Sequence, residues 1–213
     1  RGLDRSGPRP SIMCNVYTTR HGRAEMARVF GAMRGAESNE PAANLYPDSV
    51  APVIRSGGDG QREIVNMRWG FPPPPIGNAL VTNVRNTVSA FWRPWLKVEY
   101  RCLIPVSRFC EWTDAKPKRQ VWFALNEDEP LFAFAGIWRP WCGLRGTKKE
   151  PVEGQHEVFS FLTCEPSPIV APVHAKAMPV VLTSRDEFRA WLEAPPEDAL
   201  KLQRPFSDLA IVA

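Results

Sequence analysis

Cys14, preceded by Met13, carries the most usable pair of nucleophiles in the sequence. Methionine followed by a small residue is what a methionine aminopeptidase trims, so a chain translated from Met13 begins with Cys14. An N-terminal cysteine holds a free α-amine and a thiol on adjacent carbons. The amine condenses with an aldehyde to a Schiff base, and the thiol then closes a five-membered thiazolidine. With reference pKa values of about 7.7–8.0 for the amine and about 8.5 for the thiol, both nucleophiles exist in useful fractions near neutral pH. The plainer reading is that Cys14 is one of five buried cysteines, since free cysteine behaves as a small apolar core residue. Chemistry requires an acid–base group, a polar partner and, for a charged substrate, cations brought to the same place.

The elements that must do this belong to one domain. The chain has 213 residues, 44% of them hydrophobic and 23% charged, which is the composition of a soluble globular domain with a sizeable core. Its 22 prolines are about twice the usual share. Proline at that density interrupts helices and central strands and favours short strands joined by shaped loops. A net charge of +4 permits a polyanionic partner without demanding one. Cys14, Cys102, Cys110, Cys142 and Cys164 contain no close C-x-x-C pair, and with three histidines no zinc spacing emerges. No metal or organic cofactor is implied. No apolar run approaches the roughly 18 residues of a membrane span, and the polar stretch Arg1–Ile12 is no secretory signal. The expectation is a cytoplasmic protein with reduced thiols. Residues 1–12 read as an N-terminal extension, whether tag remnant, removable leader or product of a misassigned start, ahead of a domain over residues 13–213. While they are attached, the Cys14 nitrogen is an amide and no nucleophile.

The pattern predicts a first strand at Cys14–Tyr17 and a helix over about 24–34, with Met26, Val29, Phe30 and Met33 on one face. An irregular segment holds Asn44-Leu45-Tyr46-Pro47, and the glycines at 57, 58 and 60 form a turn into a strand near 62–67. Trp69-Gly70-Phe71 runs into Pro72–Pro75, a stiff extended loop. A short strand at 79–82 ends at Asn83-Val84-Arg85, and Phe91–Trp95 is a helical turn with aromatic anchors. Near-continuous apolar runs at 102–106, 121–125, 131–138 and 158–163 predict strands buried on both faces. Residues 143–155 read as a surface excursion. Ser184-Arg185-Asp186-Glu187 is a capping box opening a helix, and Pro195-Pro196 starts another through about residue 202. There is no internal repeat and no interdomain linker. The fold class is α+β and mainly β, with a few peripheral helices.

Five local patterns follow in order: Met13-Cys14, Trp69-Gly70-Phe71-Pro72, Asn83-Val84-Arg85, Cys102-Leu103-Ile104-Pro105 running to Phe109-Cys110-Glu111-Trp112, and Val170–His174 running to Met178–Leu182. Their order and spacing from Cys14 to about Trp191 resemble the SOS-response-associated peptidase (SRAP) family of abasic-site-processing proteins. The resemblance implies a single domain of several coiled, barrel-like antiparallel sheets. It also implies a suicide-like reaction in which an N-terminal cysteine captures the ring-opened aldehyde of an abasic site in single-stranded DNA. The product is a thiazolidine DNA–protein crosslink that shields the lesion, in a bacterial or phage-related setting. No membrane or metal takes part, and a monomer is expected.

Carried over residue by residue, the resemblance makes Cys14, Asn83, Glu111 and His174 the catalytic set. A neutral amide at Asn83 accepts from an ammonium or donates to sugar oxygens without adding charge; its simpler use is a turn cap after a strand. Glu111, between Cys110 and Trp112, is placed to take a proton from the attacking amine and return one to the departing hydroxyl; otherwise it closes a strand. His174 suits the proton transfers that open the sugar ring, against the alternative of a core histidine bonded to a carbonyl. His21 and His156 lie in polar segments and read as solvated. Arg85, Lys176 and Arg68 are the phosphate contacts, which position a strand without reading its bases. Trp69, Phe71 and Pro47 are the stacking or wedging residues. Departures from relatives are Val16 where an arginine is common, Thr87 where a glutamate is common, the prolines of 72–75 in place of tryptophans, and one extra residue between His174 and Met178-Pro179. A related activity is autoproteolysis that removes residues 1–12 and exposes Cys14. Two other readings stay open: a cysteine peptidase acting on other peptides with Cys14 and His174, and a non-catalytic module for single-stranded DNA.

Overall fold

The computed structural model describes residues 15–37, 43–73, 79–113, 116–147 and 149–213. In chain order the strands are β1 (Val16–Thr19), β2 (Ala43–Leu45), β3 (Val50–Ser56), β4 (Arg62–Trp69), β5 (Asn83–Val84), β6 (Arg101–Val106), β7 (Arg108–Trp112), β8 (Gln120–Ala124), β9 (Phe132–Gly146), β10 (Pro151–Cys164), β11 (Met178–Pro179), β12 (Val181–Leu182) and β13 (Ala210–Val212). The helices are α1 (Arg23–Phe30), α2 (Arg185–Glu193) and α3 (Pro196–Ala199). One sheet runs β13-β8-β7-β1-β2. The other runs β11-β10-β4-β3-β6-β9-β12, and pairing of β9 with β10 closes its centre into a barrel of β3, β4, β10, β9 and β6. Closure leaves those five strands without a free edge along their paired lengths, so none needs protection against pairing with another chain. Most pairs are antiparallel, but β10 runs parallel to β4 and to β5.

The two sheets meet through aromatic rings. Tyr17 of β1 lies edge-on to Trp69 of β4 at 5.2 Å and to Phe134 of β9 at 5.9 Å, and Phe134 packs on Phe161 of β10 at 4.7 Å. Offset and edge-to-face rings add specific geometry to their apolar burial. This seam fixes the start of β1 against the barrel. The apolar runs of β6, β9 and β10 behave as their composition requires, with every residue of β6 and residues 132–137 of β9 buried, but the run in β8 does not: Val121 and Trp122 are only half-buried.

Several elements differ from expectation. α1 stops at Phe30 because Gly31 takes a left-handed cap conformation, φ 70°, that favours glycine. Met33 then lies beyond the helix and is 71% exposed. The strand expected at 79–82 begins later, at Asn83; Val81 makes only an isolated bridge to Phe71. Residues 143–155 are not an excursion but the outer arms of the β9–β10 hairpin, paired from Phe161↔Gly136 out to Pro151↔Gly146. Polar, glycine-punctuated strands beyond the barrel carry no apolar signature to read. Pro72 and Pro73 are irregular, while Pro74 and Pro75 fall outside the described residues. The capping box of α2 is present, with Ser184 accepting from the Glu187 N–H.

Candidate active site

The site is built at the start of β1. Val16 pairs with Cys110 and Tyr17 with Phe109, so continuing the register sets Asn15 opposite Glu111. On the other flank Tyr17 pairs with Leu45, and the same continuation sets Asn15 opposite Pro47. A third segment closes on it: the Thr82 hydroxyl donates to Asn15 Oδ1 at 3.3 Å, and Asn83 Nδ2 donates to Thr82 Oγ1 at 3.0 Å. Trp69 holds that segment from behind, its indole N–H donating to the Thr82 carbonyl at 3.1 Å. Asn15, the residue after Cys14, is thus flanked by Glu111 and by the Thr82–Asn83 pair. Cys14 itself lies outside the described residues.

Glu111 is 2% exposed, although Trp112 beside it is 37% exposed. Alternation along β7 turns the carboxylate inward and the indole outward. His174 is 3% exposed in the connection between β10 and β11, and its backbone N–H donates to the Val170 carbonyl at 2.9 Å. That connection starts at Glu165, which is ion-paired with Arg85 at the end of β5. The parallel pairing Phe161↔Asn83 and Leu162↔Val84 makes both chains leave the sheet side by side.

Of the residues assigned to DNA, Lys176 and Pro47 are exposed and Arg85 is half-buried. Arg68 is turned to the Asp48 carbonyl at 2.7 Å. The stacking role of Trp69 and Phe71 does not survive: they are 0% and 1% exposed. Trp69 is enclosed by Tyr17, Phe159 and Phe161, and Phe71 by Trp92 and Trp95, so neither ring has a face for a base. Nor are the other histidines simply solvated. His21 bonds Glu25 at 2.8 Å and the Glu129 carbonyl at 3.0 Å, and His156 stacks on Trp141.

Burial pushes the Cys110 thiol up to about 11 and the Cys164 thiol up to about 12, and holds Cys102 well above its ordinary value. These three are protonated near neutral pH and poor nucleophiles. Among the described residues no cluster of histidine, cysteine and carboxylates could hold a metal ion. No helix there is long and apolar enough to cross a membrane. Two residues that no motif marks also shape the site. Arg145 reaches back from the β9–β10 hairpin to the Trp69 and Gly70 carbonyls. Gln203 donates to the carbonyls of Arg85 and Thr163, at 2.9 Å each. Both act across long sequence separations, which no local pattern encodes.

Residues 13–213 match the model of the SOS response associated peptidase (SRAP) family. The chain belongs to that family. Among SRAP relatives, the abasic site processing protein YoqW of Bacillus subtilis (strain 168) is 28% identical over 172 residues, covering 76% of this chain and 71% of its own. Abasic site processing protein YoaM of the same organism is 30% identical over 167 residues, covering 72% and 66%. A solved structure from Bordetella bronchiseptica superposes with a TM-score of 0.72 at 21% identity, covering 93% of this chain and 98% of that one. One from Bacteroides thetaiotaomicron gives 0.70 at 21% identity, covering 94% and 92%. At that identity the likeness concerns the SRAP fold.

Proposed function

We propose that this chain processes abasic sites in DNA by covalent capture through Cys14, made N-terminal when Met13 and whatever precedes it are removed from the domain over residues 13–213. The observation that carries the reading is the bracketing of Asn15 by Glu111 on one side and by Thr82 and Asn83 on the other. The Cys14 amine adds to the C1′ aldehyde of the ring-opened deoxyribose and gives a carbinolamine. Glu111 accepts the proton lost by nitrogen and returns one to the hydroxyl, which leaves as water. The thiolate then adds to the imine carbon, nitrogen takes up a proton, and the thiazolidine closes. One water is lost overall. Asn83 orients the amine or the sugar oxygens as a neutral amide. His174 moves the proton between the ring oxygen and the anomeric hydroxyl that opens the furanose. Arg85 and Lys176 hold phosphates, with Arg85 exchanging Glu165 for the strand, and Pro47 lies against it. Names of relatives as abasic site processing proteins support the substrate class.

The test uses two forms, one beginning at Cys14 and one carrying residues 1–12, each mixed with single-stranded DNA bearing one abasic site. A band shifted on a denaturing gel only for the form beginning at Cys14 is expected. A shift with both forms, accompanied by loss of residues from the long form in intact mass, adds autoproteolysis. No shift with either form removes the reading, and a shift that persists in Cys14→Ser removes the thiazolidine.

A further inference from the structure

The burial of Trp69 and Phe71 withdraws the two rings that the motifs offered for stacking, and the surface that continues from Arg85 supplies another. Backbone bonds Ser89 N–H to Asn86 O and Trp92 N–H to Ser89 O fold residues 86–92 into turns directly after Arg85. On them Phe91 is 41% exposed and packs edge-on against Trp92 at 4.8 Å. Trp92 in turn lies 5.6 Å from Phe71, whose bridge to Val81 is two residues ahead of Asn83. The exposed ring is therefore joined to the candidate site by contacts, not only by sequence.

Two cations accompany it. The Arg139 guanidinium lies 4.7 Å from the centre of the Trp95 ring, and its Nε donates only to the neighbouring Pro140 carbonyl at 3.3 Å. Arg93 is exposed one residue past Trp92. Among the described residues no carboxylate lies within ion-pair distance of either. Arg34, Arg55, Arg62 and Arg145 all have such partners. Arg139 is moreover partly desolvated, which holds its pKa below the usual value and makes an anionic partner favourable. An exposed aromatic ring beside unneutralised arginines is what a sequence-tolerant single-strand track requires: a π-face for a base and charges at the backbone.

We propose that Phe91, Arg93 and Arg139 form a second contact for single-stranded DNA, taking the strand that flanks the lesion after it passes Arg85. Phe91 stacks on one base and the two arginines meet phosphates. The inference rests on the proposed function for the path of the strand, but its test does not use the chemistry.

The full chain is titrated with a fluorescent oligothymidine that contains no abasic site, across a range of salt. Arg93→Ala and Arg139→Ala each flatten the slope of log affinity against log salt by about 0.7, the value for one phosphate on a single strand. Together they flatten it by about 1.4. Arg139→Lys keeps the charge and so keeps the slope. Phe91→Ala weakens binding roughly 5- to 150-fold at fixed salt, the range for one stacked base, with the slope unchanged. Unaltered slopes in both arginine variants, each melting as the parent does, overturn the proposal. So does an Arg139→Lys slope equal to that of Arg139→Ala, which would make Arg139 only a lid on Trp95. Altered slopes without any abasic-site crosslink in the parent would keep this surface and remove the capture reaction; a crosslink with unaltered slopes would do the reverse.

Discussion

The guanidinium of Arg145 closes on the carboxylate of Asp48, with Nη2 at 2.6 Å and Nε at 2.8 Å from Oδ1. The Arg145 side chain is 3% exposed, and its remaining donors go to the Gly70 carbonyl at 2.7 Å and the Trp69 carbonyl at 3.2 Å. Asp48 Oδ2 accepts the Gly146 N–H at 2.8 Å, and the Asp48 backbone sits at φ 72°, a conformation that a non-glycine residue adopts at a cost. The pair ties the end of the β9–β10 hairpin to the turn carrying Pro47 and to the backbone before Phe71.

Arg145 is the buried partner of this pair, while Asp48 keeps a quarter of its side chain exposed and has a second cation, Arg68, at 3.7 Å. Arg145→Ala removes the hydrogen bonds to Asp48 and to the Trp69 and Gly70 carbonyls and is expected to destabilise the fold by about 1–3 kcal/mol, read from the urea midpoint. Asp48→Asn keeps the shape but leaves the buried guanidinium uncompensated, so its loss should exceed that of Lys149→Ala, an exposed neighbour on the same hairpin. A loss of under about 1 kcal/mol for Arg145→Ala, the range of surface ion pairs, would mean that the pair does not fasten the hairpin.

Gln203 joins segments far apart in sequence. Its Nε2 donates to the carbonyls of Arg85 and Thr163, and its Oε1 accepts from the Thr87 hydroxyl at 2.9 Å. Thr87 is thus part of a neutral clamp holding the segment after Asn83 against the end of β10. Gln203→Ala leaves polar groups without partners and should cost about 1–3 kcal/mol. Gln203→Glu places a carboxylate against two carbonyl oxygens and should cost more. Equal urea midpoints for the two variants would show that water replaces the clamp.

The buried thiols make stability depend on alkaline pH. Cys110 titrates at about 11 and Cys164 at about 12 in the fold, against about 8.5 in the unfolded chain. Above about 8.5 the unfolded chain releases thiol protons that the native state retains, so it binds fewer protons and stability falls with rising pH. The contribution is complete below that value and is lost as pH rises toward the folded pKa values. The urea midpoint should decline from about pH 8.5 upward, and decline less steeply in Cys164→Ala. Identical slopes in parent and variant would contradict burial of that thiol. At pH 8 an alkylating reagent should modify exposed Cys142 well before Cys102, Cys110 or Cys164.

What could be read from the sequence divides along physical lines. The barrel strands were visible because burial on both faces leaves unbroken apolar runs, as in β6. The α2 capping box was visible because its partners are three residues apart. β13 was missed: its pairing of Ile211 with Phe123 joins the chain end to a strand almost ninety residues earlier, and a three-residue edge strand has no period to detect. The type of Glu111 and Asn83 could be read from motifs, but their common neighbour Asn15 could not, because it follows from two strand registers and a hydroxyl on Thr82. Trp69 and Phe71 were misassigned for a related reason. An aromatic ring in a loop motif looks the same whether it faces a base or the core, and only the packing of Tyr17, Phe159 and Trp92 around them decides.

Glu111 offers the sharpest separation of chemistry from structure. Its carboxylate is buried at the end of β7, opposite the residue that follows Cys14. Glu111→Gln preserves shape and one acceptor oxygen but cannot accept the amine proton. In the form beginning at Cys14, single-turnover crosslinking to abasic DNA should slow about 10²- to 10⁴-fold, the usual contribution of a positioned acid–base group. Affinity for the same DNA should hold, because a residue that moves protons in the reaction need not contribute to ground-state binding. Glu111→Asp retains the function at the wrong reach and should recover part of the rate. If Glu111→Gln crosslinks as fast as the parent, the carboxylate is only a buried strand residue, and proton transfer must pass through His174 or solvent.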